Sequence, residues 1–309
     1  MDVYQRILNI ALPPLVWLTV FVMLPWLFAF RAFQFVLKRS LWYENVSGKV
    51  VVITGASSGI GEHLTYEYAR RRARLAIAAR REDRLQCVAA KARQLGSPDV
   101  IFIRTDVSKF EDCRKLIQET VDHFGRLDHL VNNAGITKLS WFEEFTPVSE
   151  FQNVMNINFW GAAYCTQFAV PHLRKTRGKI VAVSSVSGRM ASPKMGFYSA
   201  SKSAMISLFE GLRVEVGSEI GITIVTPGLI TSEMTEAEEV QAEPFVKFIP
   251  PETPGTCAKA IVNGVCRGDR YLTEPSWMRM FYLLKFACPE VMELCNQLII
   301  ANLNGKKVA

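Results

Sequence analysis

Seven short runs of near-continuous apolar residues punctuate the chain: Lys49–Thr54, Leu75–Ala79, Val100–Arg104, Leu127–Asn132, Lys179–Ser184, Thr223–Thr226 and Arg270–Thr273. Strands that read this way are covered on both faces, and their alternation with helix-length segments builds parallel βαβ units. The helices are expected around 60–72, 82–95, 108–124, 148–174, 198–216 and 255–267. The pattern therefore predicts an α/β fold on a doubly wound parallel sheet of about seven strands. A chain of 309 residues is within reach of one such large core, and 49% apolar against 21% charged residues excludes a disordered or low-complexity protein.

Ahead of this domain, no charged residue occurs from Ile7 to Phe30, and all but Asn9, Pro13, Pro14, Thr19 and Pro25 are apolar there. As a helix the stretch would measure about 36 Å, enough to span a bilayer. Pro13-Pro14 and Pro25 bracket only ten residues, about 15 Å of uninterrupted helix. That suits a hairpin dipping into one leaflet or a lipid-droplet monolayer, and also a kinked spanning helix. It does not suit a cleaved signal peptide, being too long and lacking a small-x-small site after it. Residues 1–40 are thus expected to be a membrane or lipid-droplet anchor, with 7–36 in contact with the lipid. Arg31, Lys38 and Arg39 outweigh Arg6 across the apolar stretch, which places the following domain on the cytosolic side. The net charge of +7 draws +3 from residues 1–49, so it marks a membrane surface more than a nucleic-acid partner, and none is expected. Seven scattered cysteines without a C-x-x-C pair fit a reducing compartment rather than disulfides or zinc, and no metal site is expected around the four histidines either.

The first strand runs straight into Thr54-Gly55-Ala56-Ser57-Ser58-Gly59-Ile60-Gly61 and then a helix. Glycines placed so allow a tight turn and close approach of a pyrophosphate to backbone N–H groups at the positive end of the helix, the Rossmann-like arrangement for a dinucleotide. Where an acidic residue would grip a ribose 2′-OH after the second strand, the chain has Ala79-Arg80-Arg81. Arginine in place of a carboxylate favours a 2′-phosphate, hence NADP(H), although the pair also continues the basic run Arg70-Arg71-Arg72 and Arg74. Tyr198 and Lys202 stand four apart in Y-S-A-S-K, on one helix face. An adjacent ammonium favours the phenolate, so this tyrosine is expected to be tuned to exchange a proton with an alcohol or carbonyl. Ser185, thirteen residues earlier, and Asn132-Asn133-Ala134-Gly135 close other strands on the same carboxyl edge of the sheet.

T-G-A-S-S-G-I-G, N-N-A-G, S…Y-S-A-S-K and Pro227-Gly228, in this order, resemble the short-chain dehydrogenase/reductase family over about 48–275. The resemblance implies a catalytic tetrad of Asn158 (in N-I-N-F-W-G), Ser185, Tyr198 and Lys202. In it Tyr198 is the general acid/base and Ser185 binds the substrate oxygen with it. Lys202 holds the ribose and lowers the tyrosine pKa, and Asn158 positions a water in the proton relay. It further implies that the cofactor is lined by the glycine loop (Gly55, Ser57, Ser58, Gly59, Ile60, Gly61), by Arg80, Arg81 and Asp106, the last at the adenine, by Asn133, Ala134 and Gly135, and by Pro227, Gly228, Ile230 and Ser232. Three departures stand out. Ser232 replaces the threonine of P-G-x-x-x-T, Arg72 stands where a glycine often precedes the second strand, and Ser58 stands where some NADP-preferring members carry a basic residue, which leaves Arg80 to supply most of the phosphate recognition.

The proline-interrupted anchor, F-G-R-L-D-H-L-V-N-N-A-G and R-Y-L-T-E-P-S-W together resemble the steroleosin branch, the 11β-hydroxysteroid dehydrogenase-like proteins of plant lipid droplets. This implies interconversion of a hydroxysteroid and its ketone with NADP(H) at a lipid droplet or the endoplasmic reticulum, and, by family habit, a homodimer. Nothing in Thr231–Pro254, an insertion after a strand at the substrate edge, encodes a steroid. Another membrane-soluble alcohol or carbonyl therefore stands as the alternative. A non-catalytic coat or sterol-binding protein is a third reading, which the complete tetrad argues against. The domain is expected over 45–275, with a helical tail over 276–309. Within that tail Trp277–Phe286 is expected to cover a pocket, touch the membrane, form a dimer contact or pack as a core helix, and Lys306-Lys307 is expected to be a solvated end or a dilysine retrieval signal.

Overall fold

A computed structural model describes residues 3–41, 43–144, 149–241 and 249–304. The Lys306-Lys307 end, and residues 242–248 within the insertion after the sixth strand, lie outside these. The chain divides into two compact units at Glu44/Asn45.

The first unit is helix α1, Val3–Leu41, which continues through Pro13, Pro14 and Pro25 without a turn. Pro13, Pro14 and Pro25 thus lie inside one helix. Each proline removes one i→i−4 hydrogen bond and leaves the rest of the ladder, which bends a helix without reversing it. Val3–Phe30 is long and apolar enough to cross a membrane, and its apolar window is exposed throughout. It is a candidate anchor.

In the second unit, strands β1 (Val50–Thr54), β2 (Arg74–Ala79), β3 (Val100–Arg104), β4 (His129–Asn132), β5 (Lys179–Val183), β6 (Gly221–Pro227) and β7 (Tyr271–Glu274) form one parallel sheet in the order β3-β2-β1-β4-β5-β6-β7. The strand order reverses between β1 and β4, which opens a crevice at their carboxyl ends. All five residues of β1 are buried: Val51 and Ile53 join one core layer, Val50 and Val52 the other. The near-continuous apolar reading of the strands follows, since each side chain added to either layer contributes about 1.5–3 kcal/mol. Helices α2 (Gly59–Arg70), α3 (Glu82–Gln94) and α10 (Pro254–Arg267) cover the first layer, and α4 (Phe110–Phe124), α6 (Gly161–Thr176) and α7 (Gly196–Glu215) the second.

Under the sheet, Asp128, with its side chain 1% exposed, accepts the Val50 N–H at 2.9 Å and two guanidinium bonds from Arg126 at 2.6 and 2.9 Å. Arg72 adopts a left-handed φ of 62° between α2 and β2, so the residue found in place of the family's glycine sits in the very conformation that favours glycine. The helix expected over 148–174 begins as α5 (Ser149–Met155) and passes through a π-helical turn at Asn156–Trp160 before α6. Such turns recur at functional sites. After β6 come two short helices, α8 (Glu233–Glu236) and α9 (Glu238–Gln241), and after β7 come α11 (Arg279–Ala287) and α12 (Pro289–Asn304). The compact unit continues past residue 275 through these last helices.

Candidate active site

Backbone closeness at the end of β1 sets the site. Gly55 has φ of 66°, and a Cβ there would stand 2.7 Å from the Ala134 Cα; a Cβ on Gly61 would meet the Gly55 carbonyl oxygen at 2.2 Å. A side chain at either position would force the loop after β1 away from the loop after β4. Hydrogen bonds join the same loops. Thr54 Oγ1 accepts the N–H groups of Asn133 and Ala134 at 3.0 and 3.1 Å and donates to the Val131 carbonyl at 3.2 Å. Asn133 Nδ2 returns a bond to the Thr54 carbonyl at 2.9 Å. Thr54 was not among the expected site residues; a hydroxyl closing a buried strand just before a glycine run is the signal that marks it.

A cavity of about 900 Å³ opens over the carboxyl ends of the strands. Gly55, Ser57, Ser58, Gly59 and Ile60 line one wall, with Arg80, Arg81 and Asp106 beyond them. Asn133, Ala134, Gly135, Ser185, Tyr198, Lys202, Pro227, Gly228, Ile230 and Ser232 line the rest. Two expected residues do not face it. Gly61 is spent on packing α2 against the loop, and Asn158 is wholly buried behind the wall. A glycine cradle with no room for a Cβ, the first turn of a twelve-residue helix and an arginine-lined edge fit a dinucleotide and its phosphates.

The four expected catalytic side chains come together around β5 and α7. Lys202 Nζ donates to the Val183 carbonyl at 3.0 Å and lies 5.8 Å from the centre of the Tyr198 ring. Burial lowers this lysine from 10.5 to about 8. Ser185 Oγ accepts the Ser187 N–H at 3.1 Å, donates to the Pro227 carbonyl at 3.5 Å and stands beside the Tyr198 phenol. Burial raises the Tyr198 pKa above its ordinary value, and the Ser185 hydroxyl offsets only part of this. Desolvation of the phenolate is the leading cause, and the phenol stands above its ordinary value rather than below it. Ser184 Oγ is taken up by the Lys202 carbonyl at 2.8 Å, whereas Ser185 lines the cavity and its hydroxyl donates only the long bond to the Pro227 carbonyl.

Asn158 sits in the π turn. Its Oδ1 accepts the Ile136 N–H at 2.8 Å, while Nδ2 donates to the Ile136 carbonyl at 2.9 Å and to Ser201 Oγ at 3.0 Å. Both amide N–H groups are thus engaged by protein. The geometry makes Asn158 a clamp on the turn after Gly135, tied through Ser201 to the Tyr198 carbonyl at 2.7 Å.

At the other end of the cleft the two arginines differ. Arg81 donates to Ser58 Oγ at 2.7 Å, to Ser57 Oγ at 3.1 and 3.3 Å, and to Glu233 at 2.7 Å. Arg80 has no side-chain hydrogen bond to a described residue; its charge faces Asp106. Burial works to raise the Asp106 carboxyl, but two hydrogen bonds from Ser108, then Arg80 and Lys109, hold it below the ordinary carboxylate value. Ser232 lines the cavity, yet its hydroxyl caps α8, accepting the Thr235 N–H at 3.4 Å while Thr235 Oγ1 accepts the Ser232 N–H at 2.9 Å.

Beyond Tyr198 the cavity is apolar, with Met190, Met195, Leu229, Met234, Trp277, Met278 and Phe281 on its walls. Trp277, Phe281 and Leu284 turn toward it while Met280, Leu283 and Phe286 are exposed. None of α11 is buried as a core helix would be. Methionines and aromatics form an adaptable surface for a large apolar ligand.

The short chain dehydrogenase family matches residues 49–243. A protein of Sesamum indicum named 11-beta-hydroxysteroid dehydrogenase A is 51% identical over 305 residues, covering 95% of this chain and 87% of its own. The 11-beta-hydroxysteroid dehydrogenase-like 4A of Arabidopsis thaliana is 49% identical over 295 residues, covering 94% and 98%. Among solved structures, a short chain dehydrogenase/reductase of Burkholderia phymatum in complex with NAD superposes with a TM-score of 0.69 at 25% identity, covering 80% of this chain and 96% of that one. A short-chain type dehydrogenase/reductase of Mycobacterium marinum gives 0.67 at 28% identity, covering 74% and 94%. The glycine cradle, the Ser185–Tyr198–Lys202 cluster and these likenesses have one common explanation: the chain belongs to the short-chain dehydrogenase/reductase family and is an oxidoreductase similar to the plant 11β-hydroxysteroid dehydrogenases.

Proposed function

We propose that this protein interconverts a hydroxysteroid and its ketosteroid with NADP(H), held by α1 to a lipid droplet or the endoplasmic reticulum membrane, its catalytic domain in the cytosol. The observation that carries the reading is a single cavity in which Ser185, Tyr198 and Lys202 stand between an arginine-edged phosphate cradle and a methionine- and aromatic-lined hollow. A nicotinamide cofactor bound in the cradle supplies or accepts the hydride. Ser185 and Tyr198 then face the substrate oxygen as paired donors, which stabilise charge developing on it and cost no reorganisation at the moment of reaction. Tyr198 passes its proton to that oxygen in reduction and takes it back in oxidation. Lys202 sets the electrostatics beneath the phenol and reaches the ribose, while Asn158 keeps the Gly135–Ile136 turn in place behind both. Arg80 supports the preference for a phosphorylated ribose, since no carboxylate occupies the end of β2. A homodimer is part of the reading through the family resemblance.

The test is nicotinamide absorbance on detergent-solubilised protein, comparing NADP(H) and NAD(H) across hydroxysteroids and equally apolar non-steroid alcohols, with Tyr198→Phe as control. Steroid-selective turnover that prefers NADP(H) and disappears in the variant is expected. Turnover confined to the non-steroid alcohols would replace the substrate class, and cofactor binding without any turnover would replace the enzyme by a lipid-droplet coat or sterol-binding protein.

A further inference from the structure

Two adjacent arginines close β2, and the structure gives them unequal freedom. Four N–H contacts of Arg81 reach Ser57, Ser58 and Glu233, and Arg84 adds a second cation 3.6 Å from the other oxygen of the Glu233 carboxylate. Glu233 comes from the far wall of the cleft, in the first turn of α8. The walls touch beside it: a Cβ on Gly59 would stand 3.2 Å from Ser232 Cβ. The carboxylate therefore enters the cleft within reach of both the glycine loop and the arginine pair, and Ser57, Ser58, Arg80, Arg81 and Glu233 all line the same cavity.

We infer that Glu233 is a specificity-determining residue of the cofactor cleft: its carboxylate occupies Arg81 and leaves the recognition of a ribose 2′-phosphate to Arg80 alone. The inference rests on the NADP(H) reading above. Its physical basis is competition for one guanidinium. A phosphate and a carboxylate seek the same charge-assisted, forked contact, and a fixed carboxylate beside the phosphate adds repulsion that falls with distance and with screening. Both Arg81 and Glu233 remain about half exposed, with side chains at 44% and 48%. A pair in that setting is weakly held and open to exchange of partners. The arrangement limits affinity for the phosphorylated cofactor through an arginine that also holds the Ser57 and Ser58 hydroxyls of the glycine loop.

The experiment is equilibrium binding of adenosine 2′,5′-bisphosphate and of adenosine 5′-monophosphate to the full-length protein by calorimetry, for the wild type, Glu233→Gln, Arg81→Met and the double variant. Expected is a wild type that prefers the bisphosphate. Glu233→Gln should tighten the bisphosphate about fivefold to tenfold through the released charge–phosphate contact, with the monophosphate changed less than about twofold. Arg81→Met should cost the wild type less than about twofold in bisphosphate affinity yet abolish the gain in the double variant. Unchanged monophosphate binding shows in each case that the cleft is intact. If Glu233→Gln tightens both ligands equally or neither, or if Arg81→Met alone abolishes the bisphosphate preference, the inference is overturned while the NADP(H) reading stands. A wild type without preference for the bisphosphate would overturn that reading and this inference with it.

Discussion

Replacing Lys202 with methionine is expected to make the protein more stable. The lysine is only 3% exposed, and burial lowers its pKa from 10.5 to about 8. At about 1.4 kcal/mol for each tenfold change in proton affinity, carrying the charge costs the folded protein about 3 kcal/mol at pH 7. The sign follows from which state releases its proton first. Below pH 8 the amine is protonated folded and unfolded, and the whole cost is present. Between 8 and 10.5 the folded protein has shed the proton while the unfolded chain still holds it, so stability rises with pH and the cost fades. Against this, methionine gives up the 3.0 Å bond to the Val183 carbonyl, worth about 1 kcal/mol. Methionine is otherwise similar in length and adaptable in packing. The net is a gain of about 2 kcal/mol at pH 7 that shrinks toward zero by pH 10. Urea denaturation followed by tryptophan fluorescence at pH 7, 8.5 and 10 measures it. A variant less stable than the wild type at pH 7, or a difference that does not change with pH, would refute the reasoning. The confirmed result would mean that the site holds a buried cation for chemistry and at the expense of stability.

Tyr198→Phe should lower kcat by about 10²- to 10⁴-fold, the usual worth of a positioned proton donor, while adenosine 5′-monophosphate binding measured by calorimetry stays unchanged. Asp128→Ala strips the Val50 N–H and Arg126 of their buried acceptor and should cost about 3 kcal/mol, read as a lower urea midpoint with the slope unchanged. Arg72→Gly should stabilise by about 0.5 kcal/mol, relief of the left-handed backbone exceeding the added chain entropy; a lower midpoint in that variant would show the φ of 62° to be unstrained.

The seven strands and the six helices that cover the sheet were legible from the chain because the strands are covered on both faces and these helices are buried on one, so hydrophobic period and burial coincide. The strand ends fall within about two residues of the observed ones, and the glycine loop, Tyr198 and Lys202 could be placed because their spacing sets a local geometry. The π turn at Asn158 was not legible, since one extra residue in a helix leaves no trace in an apolar pattern. Nor was the course of α1 decided by its prolines, which permit a bend and a reversal alike.

Sequence by itself determined that seven strands must be covered on both sides, that a dinucleotide cradle opens the first βαβ unit, and that a tyrosine and a lysine share a helix face. These depend on neighbours close along the chain. Only the tertiary structure decided that Ser184 is consumed by α7, that burial holds the Tyr198 phenol above its ordinary value, and that Arg81 is claimed by Glu233 while Arg80 is left to face Asp106. Each of these depends on residues far apart in the chain meeting at one sheet edge. Desolvation, charge pairing and competition for a hydrogen-bond partner are properties of the assembled space, and no local pattern carries them.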